Sequence, residues 1–252
     1  MPPMITVEDA GGAALLRMDD GKANAIQARF LADLGRALDG AAGAPAVVLT
    51  GARKIFSAGL DLPALIEMPR PAMGELMRAF HETMLRLFLW PAPVVCAVNG
   101  HAFAGGCVLA MQGDRRVMTD GDGRIGINEV RLGLPLPAIV VETFRAQLSA
   151  AALAAAALEG RLFSPREAAA AGIVDEVAAG GELEGRAAEI ARGLAEGGAA
   201  FAGVKRMLRR PAADALERRS EDDARAWLDG WFSDAARKRI ADAVAKLKSR
   251  PS

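Results

Sequence analysis

The strongest constraint on this chain is where its short apolar runs stop. Ala46-Val47-Val48-Leu49-Thr50 ends at Gly51, and Pro93-Val94-Val95-Cys96-Ala97-Val98 is broken by Asn99-Gly100. Each run is the length of a strand buried on both faces, and each is followed by small-residue loops and then a helical period. Ile5–Val7 and Ala14–Met18 read as an opening hairpin, and a helix is expected from about Gln27 to Leu38. From Pro71 to Leu89, Met73, Leu76, Met77, Phe80, Met84 and Leu87 recur at three and four, which predicts a helix with one core face. Arg116-Val117-Met118 suggests a further strand. Strands alternating with helices give an α/β class.

Beyond about residue 137 alanine-rich helices take over, with one more strand expected at Gly172-Ile173-Val174-Asp175. After Gly180 only helices are expected, ending in Asp222–Trp231 and Asp234–Lys248. Ile240, Ala243, Val244 and Leu247 form one stripe on the last helix, which must cover either the core or a neighbouring subunit. A division near residue 190 follows, with a core over 1–190 and a helical region over 191–252. No repeat or flexible linker interrupts the chain.

Charge narrows the function classes. With 31 basic and 31 acidic residues the formal net charge is zero, which argues against a general nucleic-acid binder. No apolar run approaches the ~20 residues that span a bilayer. The start, Met1-Pro2-Pro3-Met4, has neither a secretory pattern nor the Arg- and Ser-rich pattern of an organelle transit peptide. Two cysteines, Cys96 and Cys107, sit in apolar company and read as buried thiols of a reducing compartment. With only two histidines beside them no zinc spacing can be assembled, so no metal is expected and a soluble cytoplasmic chain is.

Three segments depart from what a plain core needs. Phe56-Ser57-Ala58-Gly59-Leu60-Asp61-Leu62 follows a strand, and Gly59 would let successive N–H groups face one point. A plain strand-to-helix turn with Asp61 near the helix start is the other reading. Asn99-Gly100-His101-Ala102-Phe103-Ala104-Gly105-Gly106-Cys107-Val108 runs from a strand into a helix that starts near Gly106. Helix N-termini suit an anion or developing oxyanion, although a tight connection alone would need the same residues. It is not a nucleotide-binding Walker loop, since no Gly-Lys-Ser/Thr follows. In Ile125-Gly126-Ile127-Asn128-Glu129-Val130-Arg131-Leu132-Gly133 a carboxylate stands among apolar residues. Glu129 is there either a solvated helix-start charge or a desolvated acid with a raised pKa.

Taken in order, these segments resemble the crotonase (enoyl-CoA hydratase/isomerase) superfamily. The resemblance begins at Gly21-Lys22-Ala23-Asn24-Ala25-Ile26 and is most specific at Val47–Gly51 with Phe56–Leu62. It extends to Ala170-Ala171-Gly172-Ile173-Val174-Asp175-Glu176-Val177. It implies a spiral of ββα turns with C-terminal helices that assemble a homotrimer or hexamer. It also implies an acyl-CoA substrate, with no cofactor beyond the coenzyme A thioester. The backbone N–H groups of Leu60 and Gly105 would hold the thioester oxygen. Ala58, Gly59, Asp61 and Leu62 would border the bound coenzyme, with Lys22 and Lys54 as candidate phosphate partners.

Family members that hydrate a double bond carry two glutamates. One matches Glu129, and the position of the other is Val108. A valine can neither hold a water nor shuttle a proton. Phe56–Leu62, Ala104-Gly105-Gly106-Cys107, Ile125-Gly126-Ile127-Asn128-Glu129 and the helix pair around Trp227–Phe232 and Lys238–Lys248 look closer to the Δ3,Δ2-enoyl-CoA isomerase branch, in which one glutamate serves as base and then acid. Hydration, other enolate chemistry, and acyl-CoA binding without turnover are the alternatives. His81 and His101 are left outside the mechanism, and Asp61 is expected to cap the oxyanion turn. The helix 71–89 and the loop around Ile66-Glu67-Met68 are expected to line the acyl pocket.

Overall fold

Strand β1 (Ile5–Asp9) pairs antiparallel with β2 (Ala14–Met18) in the register Ile5↔Met18. The computed structural model, which describes residues 2–249, continues with β3 (Ala25–Ile26) and α1 (Ala28–Gly40). Next come β4 (Val47–Gly51), β5 (Ile55–Ser57), β6 (Gly59–Leu60), α2 (Leu62–Leu65) and α3 (Arg70–Phe88). The third turn is β7 (Val94–Val98), β8 (His101–Phe103) and α4 (Gly105–Ala110). The fourth is β9 (Arg115–Thr119), β10 (Ile125–Gly126), a single 3-10 turn at Glu129–Leu132, and α5 (Ala138–Arg145). Then follow α6 (Ala150–Ala157), α7 (Pro165–Ala170), β11 (Glu176–Ala178), α8 (Leu183–Ala195), α9 (Gly198–Trp231) and α10 (Asp234–Lys248).

The main sheet has the order β1-β2-β4-β7-β9-β11 and is parallel from β2 onward. Each of β4, β7 and β9 hands the chain to a short strand of a second sheet, ordered β10-β8-β5, before a helix returns it. This is the expected spiral of ββα turns.

Both faces of the main sheet are covered, which explains why its strands read as unbroken apolar runs. Leu16, Leu49, Cys96 and Val98 face the large core beneath α1, α3, α4 and α5. Their alternate neighbours Leu15, Val48, Val95 and Ala97 meet Leu183, Ala187 and Ala191 of α8.

Two sequence expectations shift. Gly172-Ile173-Val174-Asp175 is not a strand. Gly172 takes φ +73, and the Ile173 N–H returns to Ala168 O at 2.8 Å, so these residues form the turn out of α7. Ile173 and Val174 are apolar because they are buried, not because they are extended, and pairing starts only at Glu176↔Val117. Likewise Asp222–Trp231 is the end of one 34-residue helix that began at Gly198 and carries Pro211 in its interior.

Helix α9 is pinned to the sheet by Asp114. That carboxylate accepts from Lys205 Nζ at 2.7 Å and Arg209 Nη2 at 2.8 Å, and from the Val94 N–H at 2.7 Å. Burial pushes the Lys205 ammonium down to about 8 despite this partner. The stripe of α10 packs on the chain's own core, with Ile240 and Val244 buried.

Candidate active site

The first wall is the turn from β5 to β6. Asn24 is buried with φ +50, and its side chain donates to Met18 O and Phe56 O, each at 3.1 Å. Ser57 Oγ donates to Asn24 O at 2.7 Å and accepts the Gly59 N–H at 3.1 Å. The turn is further tied by Ala58 N–H to Ala23 O at 2.9 Å and Asp61 N–H to Ile26 O at 3.2 Å. Upstream, Asp20 collects the N–H groups of Lys22, Asn24 and Ala25 within 3.1 Å. The Asp20–Ile26 segment is therefore the scaffold of the turn, and Asp20 was not singled out by sequence. Asp61 caps α2 as expected, accepting the Ala64 N–H at 3.2 Å.

Gly59 has φ +82, and a Cβ there would lie 2.9 Å from the Gly105 nitrogen. A Cβ on Gly105 would stand 3.5 Å from the Leu60 nitrogen. The two amides thus come together across a gap that no side chain fills. Gly105 opens α4, where an N–H has no intrahelical acceptor. Before it, Ala104 holds φ +48, a strained value for a residue with a Cβ, and its N–H is fixed to Gly126 O at 2.9 Å. The adjacent Gly106 is a glycine for a different reason: a Cβ there would meet Ser57 O at 2.2 Å.

Leu60, Gly105 and Glu129 line one cavity of about 390 Å³, together with Ala58, Leu62 and Val108. Gly59 and Asp61 shape the turn without lining it. The residue Glu129 is half-buried, but its Oε2 is fully enclosed and has no hydrogen-bond partner. Burial raises its pKa to about 7, against a smaller pull from its own and Asn128's backbone N–H groups. Of the two readings of Glu129 left open by sequence, this is the desolvated one. Among the described residues it is the one carboxylate lining the cavity, which Val108 of α4 also lines at 1% exposure.

The rest of the cavity is mostly apolar. Helix α3 supplies Met77 and Phe80, as expected, and α5 supplies Val140. Ile66, Glu67 and Met68 do not line the cavity; Leu62 takes that place, because α2 turns the 66–68 loop away to pack Ile66 and Met68 on the core. The far wall comes from Trp227 and Trp231 of α9 and from Ala243, Lys246 and Leu247 of α10. Sequence reading assigned these helices to assembly and missed the wall. The available signal was the pair of tryptophans four apart, which stack with centroids 5.4 Å apart.

Lys22 and Lys54 are both exposed and neither lines the cavity. Lys54 borders a separate polar cleft with Arg17, Arg53 and His101. His101 Nδ1 accepts the Arg124 N–H at 3.1 Å, and its ring stacks on Phe103. His81 is half-buried away from the cavity, with its pKa lowered by burial.

A family model described as enoyl-CoA hydratase/isomerase matches residues 8–248. The mitochondrial enoyl-CoA delta isomerase 1 of Rattus norvegicus is 29% identical over 98% of this chain and 88% of its own. A Thermus thermophilus protein named as a candidate enoyl-CoA hydratase is 37% identical over 77% of this chain and 76% of its own. The crystal structure of human mitochondrial delta3-delta2-enoyl-CoA isomerase superposes with a TM-score of 0.93. It covers 99% of this chain and 100% of that one at 28% identity.

Proposed function

We propose, for a chain that belongs to the enoyl-CoA hydratase/isomerase family, that it moves the double bond of a 3-enoyl-CoA to the 2-position. The observation that carries this reading is a lone enclosed carboxylate, Glu129, in a cavity whose facing helix offers Val108. Glu129 takes a proton from C2, and the negative charge spreads through the dienolate to the thioester oxygen. The N–H groups of Leu60 and Gly105 hold that oxygen, and one such donor contributes about 3–4 kcal/mol in the transition state. The protonated Glu129 then returns the proton to C4. A pKa near 7 suits a group that must accept and release a proton within one turnover. The apolar Val108 keeps competing water from the dienolate.

The shift is redox-neutral and calls for no cofactor beyond the thioester the substrate carries. Ala58 and Leu62 border the coenzyme arm, with the exposed Lys22 and Lys54 as candidate partners of its phosphates. Assembly as a homotrimer or hexamer is part of the proposal. It is supported by the outer face of α9, where Val204, Met207 and Leu208 are 57%, 74% and 72% exposed. The free thiols Cys96 and Cys107 suit a reducing compartment such as the cytoplasm. Among the described residues no helix is long and apolar enough to cross a membrane.

A second reading, water addition to a 2-enoyl-CoA, is favoured by the name of the Thermus relative. Two assays separate them. Formation of the conjugated thioester from 3-hexenoyl-CoA, abolished in Glu129→Gln, is expected. Hydration of crotonyl-CoA at a comparable rate would replace the isomerase reading with the second one, and binding without either reaction would overturn both.

A further inference from the structure

Ala104 joins the two loops of the site. It lines the cavity, half-buried, just before the Gly105 amide that opens α4. Its backbone stands at φ +48 and ψ −119. A glycine enters that conformation freely, whereas the Cβ of an L-residue resists it. Glycine would therefore make this turn at lower cost, as Gly59 makes its own at φ +82. Three contacts impose the conformation nevertheless. The Ala104 N–H donates to Gly126 O at 2.9 Å, on the strand that leads to Glu129, and the Ala104 carbonyl accepts the Val108 N–H at 3.0 Å. The methyl stands beside Gly59, where a Cβ would lie 3.1 Å from it. Of Gly59, Ala104 and Gly105, which meet at this crossing, Ala104 alone brings a Cβ to it. Residues stay in unfavourable backbone regions only where their surroundings over-determine them, and such residues cluster at active sites.

The peptide between Ala104 and Gly105 is planar, so the direction of the Gly105 N–H turns with ψ of Ala104. We propose that Ala104 is a positioning residue, whose methyl beside Gly59 fixes that angle and so aims the Gly105 N–H at the thioester oxygen. The inference rests on the reading above in which Leu60 and Gly105 hold that oxygen. It adds that the aim comes from the side chain before the donor. Glycine at this position would reach the same conformation without strain but would also leave it, because no Cβ would limit rotation about ψ. An oxyanion donor works by being preorganised, so a donor that wanders loses more in the transition state than in the bound substrate.

The test compares the whole protein with Ala104→Gly and with Ala104→Ser, which keeps a Cβ. Isomerisation of 3-hexenoyl-CoA gives kcat and KM, and urea unfolding gives stability. The infrared carbonyl band of bound octanoyl-CoA, a non-reacting thioester, reports the hydrogen bonds to its oxygen. Ala104→Gly is expected to lower kcat about tenfold and to leave KM within about twofold. Its carbonyl band should move less on binding than with wild type, while the urea midpoint holds or rises. Ala104→Ser is expected to recover kcat to within about threefold of wild type. The proposal is overturned if Ala104→Gly matches wild type in kcat and carbonyl shift, if its kcat falls only together with a lowered urea midpoint, or if Ala104→Ser loses as much as Ala104→Gly. Without measurable isomerisation in wild type, the carbonyl shifts of the three proteins decide alone. Failure of the underlying reading shows differently, as a carbonyl band that wild type itself leaves unshifted.

Discussion

Glu129 keeps its proton to about pH 7 because burial denies its carboxylate water. As the proposed base it must first lose that proton, so kcat/KM for the double-bond shift is expected to rise with pH and level off above about 7; a flat profile from pH 5 to 9 would exclude Glu129 as the base. The same shift sets a stability window. The folded state binds the proton more tightly than the unfolded chain, whose value is 4.5. Stability therefore falls as pH rises from about 4.5 to about 7. Glu129→Gln should melt higher than wild type at pH 8 and show little gain at pH 4, as read by thermal scans. Gly105 and Gly106 separate function from packing. Gly105→Ala is tight only against the Ile26 Cδ1 tip at 3.2 Å, and it stands 3.4 Å from Gly59 Cα and 3.5 Å from the Leu60 nitrogen, where it screens the paired amides. A fall of about 10²–10³ in kcat with a nearly unchanged urea midpoint is expected. Gly106→Ala collides with Ser57 O and should lower stability by about 1–3 kcal/mol. Val108→Glu adds a second carboxylate to the cavity that Glu129 lines, and hydration of crotonyl-CoA above the wild-type level is its expected signature.

At the scale of elements, legibility followed exposure to a second constraint. The strands β4 and β7 were readable because they are buried on both faces and end at Gly51 and at Asn99-Gly100. The two loops and the Glu129 turn were readable because their small and charged residues break the apolar runs around them. Ile173 and Val174 misled because a buried turn has the composition of a strand. Helix α9 was hard to delimit because Pro211 and its charged middle hide the period, and its anchor is polar. Asp114 holds Lys205 and Arg209 together, so Asp114→Asn leaves two buried cations short of their partner. A loss of about 3–5 kcal/mol in urea unfolding is expected; a loss below about 1 kcal/mol would mean that apolar packing, not this anchor, seats the helix.

At the scale of the molecule, the cavity was legible on one side only. Its chemical wall comes from turns whose residues look unlike core. Its far wall comes from Trp227, Trp231 and Leu247, which in sequence look like any apolar helix face. Only the folded chain shows that α9 both closes this cavity and turns Val204, Met207 and Leu208 outward. Substituting Met207 and Leu208 together by lysine should shift sedimentation from the proposed trimer or hexamer to the monomer. An unchanged mass would place the subunit contacts elsewhere.

Because the wall at Trp227–Leu247 is remote in sequence from the wall at Leu60–Val108, the pocket has a birth order. During synthesis at about 5–20 residues per second, the turn from β5 to β6 leaves the ribosome on the order of ten seconds before the helix that roofs the cavity. Until then the nascent chain shows its apolar floor to the surrounding water and to every chaperone that reads such surfaces. The last helices thus end that exposure in the same step that completes the pocket.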